Sequence, residues 1–209
     1  MTDAEPELNV LALNSGSSSL KFGLYCARSS RIEMLLSGEA ESIGDKKGKF
    51  HAQDSHENAL LSETVAIPSQ QEAIIRIGKL LADSKMPAPA AIGHRIVHGG
   101  PKLRQHCLID DPVVRQLEAA TAFAPLYTPA ALSVIRFAQE HFPGLPQVAC
   151  FDTTFHTLVG VRRGRFTRSK IAINDLIVGV ARQAAADRAF GADDLFAFAS
   201  DQHAAVLSI

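Results

Sequence analysis

Leu8-Asn9-Val10-Leu11-Ala12-Leu13-Asn14-Ser15-Gly16-Ser17-Ser18-Ser19-Leu20-Lys21-Phe22 decides how this chain is read. A short apolar run stops at an amide, a glycine, four hydroxyls and a lysine, and apolar residues resume at once. The pattern predicts two strands, Leu8 to Leu13 and Leu20 to Tyr25, joined by a tight turn. Gly16 allows a turn that other residues resist. Such a turn gathers backbone N–H groups, hydroxyl donors and a cation, a concavity suited to a phosphate group. It lacks the spacing of a Walker loop. A serine-rich surface hairpin explains the same residues, because Ser and Gly are ordinary turn formers.

Working outward, Ile32 to Ser37 reads as a third strand and Gly44 to His56 as a polar hairpin connection or exposed loop. A helix is signalled from Gln70 to Asp83. Ser69 and Glu72 are spaced as a capping box, and Ile74, Ile77, Leu80 and Leu81 recur at helical spacing. Ala90 to Val97 follows as an apolar strand interrupted by Gly93, His94 and Arg95. A second helix begins at Thr128-Pro129, a capping residue before a proline, and closes at Pro143 and Pro146. Gln147 to Phe151 is the next strand. Strands alternating with helices point to an α/β layer fold.

The composition narrows the function classes. The chain has 209 residues, 46% of them hydrophobic, and a formal net charge of -1. That balance gives no general pull toward nucleic acid or an anionic membrane, so an anion site must be local. Cys26, Cys107 and Cys150 are odd in number and far apart, which argues against a disulfide framework or a zinc site and fits a reducing cytoplasmic setting. The acidic first seven residues carry no secretory signal, and no apolar run is long enough to span a bilayer.

Two further segments add chemistry. In Ile92-Gly93-His94-Arg95-Ile96-Val97-His98-Gly99-Gly100, Arg95 offers a planar fork for a carboxylate or phosphoryl group; a structural salt bridge is the alternative. His94 and His98 stand four apart, but no third ligand accompanies them and zinc is not expected. Phe123-Ala124-Pro125-Leu126 precedes Val148-Ala149-Cys150-Phe151-Asp152-Thr153-Thr154-Phe155-His156. Asp152 ends a strand, where α/β folds place ligand chemistry. It can hold a metal or orient an attacking oxygen, or simply cap the next helix.

These three motifs together resemble the acetate kinase family in content and order, over about the first three quarters of the chain. The resemblance implies an actin-like, sugar-kinase (ribonuclease H-like) ATPase fold of the α/β class, of which this is the first half of a two-domain kinase. It implies reversible transfer of the ATP γ-phosphoryl group to acetate, with Mg²⁺ as cofactor and ATP/ADP and a short carboxylate as partners. Pairing into a homodimer is an open expectation. By the same resemblance Arg95 binds the acetate carboxylate, and Val97 and Leu126 wall the methyl pocket. Asp152 joins Arg95 as a catalytic residue. Asn14 contacts phosphate and lies near the metal, and Ser17, Ser19 and Lys21 are phosphate-binding turn residues. Ser15, Ser18 and His156 are read as structural.

The resemblance breaks in two places. Tyr127 and Thr128 stand where the family carries a histidine and an asparagine. Past His156 neither the second-half nucleotide motifs, the second arginine, nor the magnesium-holding glutamate follows, and family members are about twice as long. The expected organisation is a leader at 1–7, a kinase-like domain at 8–156 and a divergent or truncated tail at 157–209. The tail reads as a divergent replacement, a frameshifted end or a deletion remnant. It carries a basic run, Arg162 to Lys170, read as a solvated linker or an anion contact, and helical spacing from Asp175 to Phe190. Three functions compete with the acetate reading: a catalytically dead remnant or interaction module, a propionate or butyrate kinase, and a sugar kinase. The Arg95 motif disfavours the last.

Overall fold

The computed structural model describes residues 7–28, 31–153, 177–179 and 181. Eight strands form one sheet: β1 (Leu8–Ser15), β2 (Ser19–Ala27), β3 (Ile32–Glu41), β4 (Gly48–Asp54), β5 (Ala59–Val65), β6 (Ala91–Ile96), β7 (Cys107–Leu108) and β8 (Gln147–Phe151). Their order is β5-β4-β3-β2-β1-β6-β8-β7. The first five are an antiparallel meander, which short turns can connect. Strand β6 then pairs parallel to β1, and β8 parallel to β6, so helices must cross between them.

Helix α1 (Gln70–Asp83) starts where its cap predicts, with the Ser69 hydroxyl accepting from the Glu72 N–H at 3.3 Å. The Glu72 carboxylate faces Arg76, one turn on, at 2.9 Å. Helix α2 (Asp111–Ala119) is capped by Asp110, which accepts from the Val113 N–H at 2.8 Å, and a 3-10 turn follows over Ala120–Phe123. Helix α3 (Thr128–His141) begins one residue earlier than its sequence signal indicates. Tyr127 already has helical ψ, and the Thr128 N–H donates to the Ala124 carbonyl at 3.0 Å. Thr128 is therefore the first helical residue and not the cap. Its hydroxyl is buried with no partner among the described residues.

Two strand assignments change. Strand β3 continues past Ser37 to Glu41, because Gly38 and Ala40 keep its inner face small while Glu39 and Glu41 point outward. The segment 44–56 is not a loop throughout, since β4 occupies Gly48–Asp54 and buries Phe50 and Ala52. Gly38 makes that possible: a Cβ there would lie 2.4 Å from the Phe22 ring and from the His51 carbonyl.

The core lies on both faces of the sheet. On one, Leu11, Leu13, Leu20, Phe22 and Phe50 pack with Ile74 and Ile77 of α1 and Val134 and Ala138 of α3. Each of the larger side chains among these contributes about 1.5–3 kcal/mol when fully buried. On the other, Val10, Ala12 and Tyr25 pack with Ile177, Val178 and Ala181, which are helical and buried. His156, the basic run 162–170 and all of the expected tail apart from 177–179 and 181 lie outside the described residues. No helix among the described residues is long and apolar enough to cross a membrane. Cys26, Cys107 and Cys150 are free thiols.

Candidate active site

The carboxyl ends of β1, β6 and β8 come together at one edge, and the motif residues follow each strand end. Asn14 is paired with Lys21 on β2 and with Arg95 on β6. Lys21 is paired with Glu39 on β3, and Glu39 with His51 on β4. Residues directly opposite in a sheet share a face. His51, Glu39, Lys21, Asn14 and Arg95 thus form one polar row across five strands.

Arg95 is the most heavily bonded group in this row. Its Nε and Nη2 donate to the two carboxylate oxygens of Asp152 at 2.9 and 2.6 Å. Its Nη1 donates to Asn14 Oδ1 at 3.1 Å. The Arg95 and Asp152 side chains are 23% and 20% exposed, so the pair borders solvent without being immersed in it. This is a bidentate, charge-assisted contact of the kind that fixes a guanidinium in one plane. The sequence leaves function and salt bridge as alternatives for Arg95; in the structure the salt bridge is made and also aims the guanidinium at a cleft.

That cleft has a volume of about 580 Å³. Of the residues singled out from the sequence, Asn14, Ser19, Lys21, Arg95, Val97 and Asp152 line it. Ser17 is exposed at the tip of the turn and outside the lining, and Leu126, 71% exposed, is outside it too. Five lining residues carry no site role from the sequence: Ser15, Gly16, His98, Tyr127 and Thr153. Tyr127 has a signal, since it occupies a position where the family pattern has another residue. Leu126, Tyr127 at 44% exposed and Phe123 at 58% are exposed large hydrophobic residues, and of the three Tyr127 lines the cleft.

The serine turn is closed by the Gly16 N–H donating to the Ser19 carbonyl at 2.8 Å. Gly16 has no left-handed backbone; a Cβ there would lie 2.9 Å from Ser19 Oγ, a hydroxyl that a change of rotamer moves aside. From α1, Gln70 Nε2 reaches the Gly16 carbonyl at 3.5 Å, a long contact.

The two histidines of the β6 motif separate. His94 is buried, its Nε2 donating to Gln147 Oε1 at 2.7 Å, and burial pushes its pKa down to about 4. His98 lies beyond the strand, stacks on Phe123 at 5.7 Å, and accepts from the Gly100 N–H at 2.7 Å. They do not form a metal pair. Cys150, opposite Arg95 on β8, is buried, and desolvation pushes its thiol well above the usual range.

Comparison with known proteins places the chain in a family. Residues 9–167 match the model of the acetokinase family. Acetate kinase of Campylobacter lari is 37% identical over 153 residues, 71% of this chain and 38% of that protein. Among solved structures, a propionate kinase of Francisella tularensis superposes with a TM-score of 0.65 at 37% identity, covering 71% of this chain and 38% of its own. Acetate kinase of Porphyromonas gingivalis superposes with a TM-score of 0.66 at 26% identity, covering 89% and 50%. The chain spans somewhat under two fifths of the length of the curated relatives it matches. By its motifs, its sheet and these matches, the chain belongs to the acetokinase family.

Proposed function

We propose that this chain carries the carboxylate- and phosphate-binding part of an acetate-kinase-type phosphotransferase. The reaction is reversible transfer of the terminal phosphoryl group of ATP to acetate, giving acetyl phosphate and ADP. One observation carries the reading: Arg95 is clamped between Asn14 and Asp152 in the wall of a cleft whose other edge is the serine turn and Lys21.

In this reading a carboxylate oxygen of acetate attacks phosphorus, the new O–P bond forms, and the bond to the ADP oxygen breaks. Such a transfer asks the protein for positioning and charge neutralisation more than covalent chemistry. Arg95 orients the acetate carboxylate, and Val97 offers the apolar wall for its methyl group. Ser19, Lys21 and the backbone of the turn face the phosphoryl oxygens, with Ser17 reaching them from the tip of the turn. Asn14 and Asp152 hold Arg95 in plane.

Their oxygens also suit Mg²⁺, a hard cation that accepts amide and carboxylate donors alongside water and phosphate. Both are already engaged by Arg95, but oxygen acceptors keep further lone pairs, so the donor set fits. When bound, the metal supplies charge neutralisation on the phosphates.

Propionate or butyrate forms the second reading of the acceptor. Leu126, expected to wall the methyl group, is 71% exposed and outside the cleft lining, which leaves room in this reading for a longer acyl chain.

The test is hydroxylamine trapping of acyl phosphate by the purified chain with MgATP and acetate, propionate or butyrate. Slow formation of acyl hydroxamate, abolished by Arg95→Ala, is expected. Product that is indifferent to Arg95→Ala overturns the role of Arg95. No product, with phosphate binding that still depends on Arg95, favours a catalytically dead binding module.

A further inference from the structure

Lys21 does not face the cleft alone. Its ammonium is paired with the carboxylate of Glu39, the residue directly opposite it on β3. Lys21 is 42% exposed in its side chain and Glu39 only 20%, so the lysine is the wetter member and the glutamate the anchored one. Glu39 is itself flanked. Across the next strand pair it meets His51, and the donor atoms of Glu39, Glu41 and His51 all lie within 4.8 Å of one another. His51 Nδ1 stands 3.4 Å from Glu41 Oε1.

On the cleft side, Lys21 is next to Asn14, whose amide oxygen is taken by Arg95. Both lysine-type and arginine-type cations of the cleft therefore have a dedicated carboxylate: Asp152 for Arg95 and Glu39 for Lys21. The two pairs differ in kind. Arg95 is a rigid fork held by three bonds, whereas Lys21 is a point charge on a flexible stem held by one partner. A fork with several donors can keep its carboxylate while binding an anion. A single ammonium divides its charge between partners.

We infer that Glu39 is a positioning residue that acts through Lys21: it holds the ammonium against β3 and competes with the phosphoryl group for it, so that it sets how strongly the cleft takes an anion. This rests on the proposed role of Lys21 as a phosphate contact. Two opposed effects follow from removing the carboxylate. The ammonium loses its orientation, which weakens phosphate binding. It also loses its competitor, which strengthens it. With the phosphate site directly beside Lys21 along the row, and the ion pair at a partly exposed surface, release of the competitor dominates. A strand-pairing role for Glu39 alone makes the opposite prediction, because loosening β2 from β3 can only loosen the turn.

The experiment measures binding of inorganic phosphate to the full 209-residue chain by titration calorimetry. The variants are Glu39→Gln, Lys21→Met and the double variant, with Glu39→Asp as the conservative change. Glu39→Gln is expected to tighten phosphate by about two- to fivefold, the range for release of a partly exposed ion pair. Glu39→Asp stays near the parent. Lys21→Met weakens binding, and in its presence Glu39→Gln has no further effect. Where the glutamine variant does not fold, Glu39→Thr provides a neutral residue of good strand propensity.

Weakened or unchanged binding in a folded Glu39 variant, with Lys21→Met still weakening it, overturns the inference and leaves the phosphate role of Lys21 standing. Additive effects in the double variant overturn it as well. If Lys21→Met binds phosphate like the parent, or the parent binds none, the reading of Lys21 falls and the inference with it.

Discussion

At position 95 an arginine makes three bonds that a lysine cannot reproduce, two to Asp152 and one to Asn14. Arg95→Lys keeps the charge and loses the plane. It is expected to lower stability by about 1–2 kcal/mol, since charge-assisted bonds at a partly exposed site are only partly compensated by water. Urea unfolding of the two proteins measures this, and equal midpoints refute it. The neighbouring residue, His94, gives a different kind of prediction. Its folded pKa of about 4 lies below the unfolded value of 6.5, because burial disfavours the imidazolium. The unfolded chain therefore binds the extra proton first as pH falls. Stability from this group is complete above about pH 6.5 and declines as pH drops toward 4, by up to about 3 kcal/mol. His94→Gln, which cannot titrate, is expected to flatten the acid limb of the stability curve relative to the parent. Denaturant midpoints at about pH 7.5 and about pH 5, on either side of the unfolded value, give the comparison, and parallel curves contradict it.

Strand β6 carries Arg95, and on the same face, two residues earlier, Gly93 meets Ile177 of the helical residues packed there. The contact depends on Gly93, where a Cβ would lie 2.1 Å from Ile177 Cγ2 and 3.1 Å from its carbonyl oxygen. Gly93→Ala forces that helical segment off the sheet and is expected to destabilise by about 1–3 kcal/mol, the usual range for overpacking. Unchanged thermal unfolding argues that the segment is not held there. The element scale also separates what the sequence makes legible from what it hides. Helix α1 is readable because its cap and four apolar residues at helical spacing are all local signals. The β1 turn, Arg95 and Asp152 are readable as motifs, and strand ends at one sheet edge bring them together. Strand β4 is not, because its inward residues are Gly48, Phe50 and Ala52, a pattern with one large hydrophobe set among charges. Strand β5 at the sheet edge is mostly exposed, and only Leu61 and Val65 turn partly inward against the core. The Lys21–Glu39 pair is hidden for a related reason. A strand ended at Ser37 leaves Glu39 in a loop, and only the pairing register puts it opposite Lys21.

On the scale of the whole molecule, charge decides what this chain can do. Its formal net charge is -1, so the chain as a whole exerts no general pull on anions. Among the described residues, the cleft itself is lined by two basic side chains of the lysine and arginine type, Lys21 and Arg95, facing one carboxylate, Asp152, with Glu39 paired behind Lys21. The local sum is close to neutral. A nucleoside triphosphate is polyanionic, and the transition state of its transfer spreads charge over the equatorial oxygens. In the proposed reading orientation is therefore provided by the Arg95 clamp and the serine turn, while neutralisation is not. Electrostatic stabilisation usually contributes more to such catalysis than any other effect, and one missing donor lowers the rate by about a hundred- to a thousandfold. Tyr127 at the cleft, a neutral group at the start of α3, adds no cation. The 209-residue chain is accordingly expected to form acyl phosphate at least about a hundredfold more slowly than a full-length relative such as the Campylobacter lari enzyme. The two are compared by hydroxamate assay under the same MgATP and acetate concentrations. Phosphate binding is measured on the same preparation, so that a low rate from a folded, anion-binding chain is distinguished from a low rate from an unfolded one. Comparable turnover by the two proteins refutes the charge argument, because it requires neutralising groups that the described cleft does not contain.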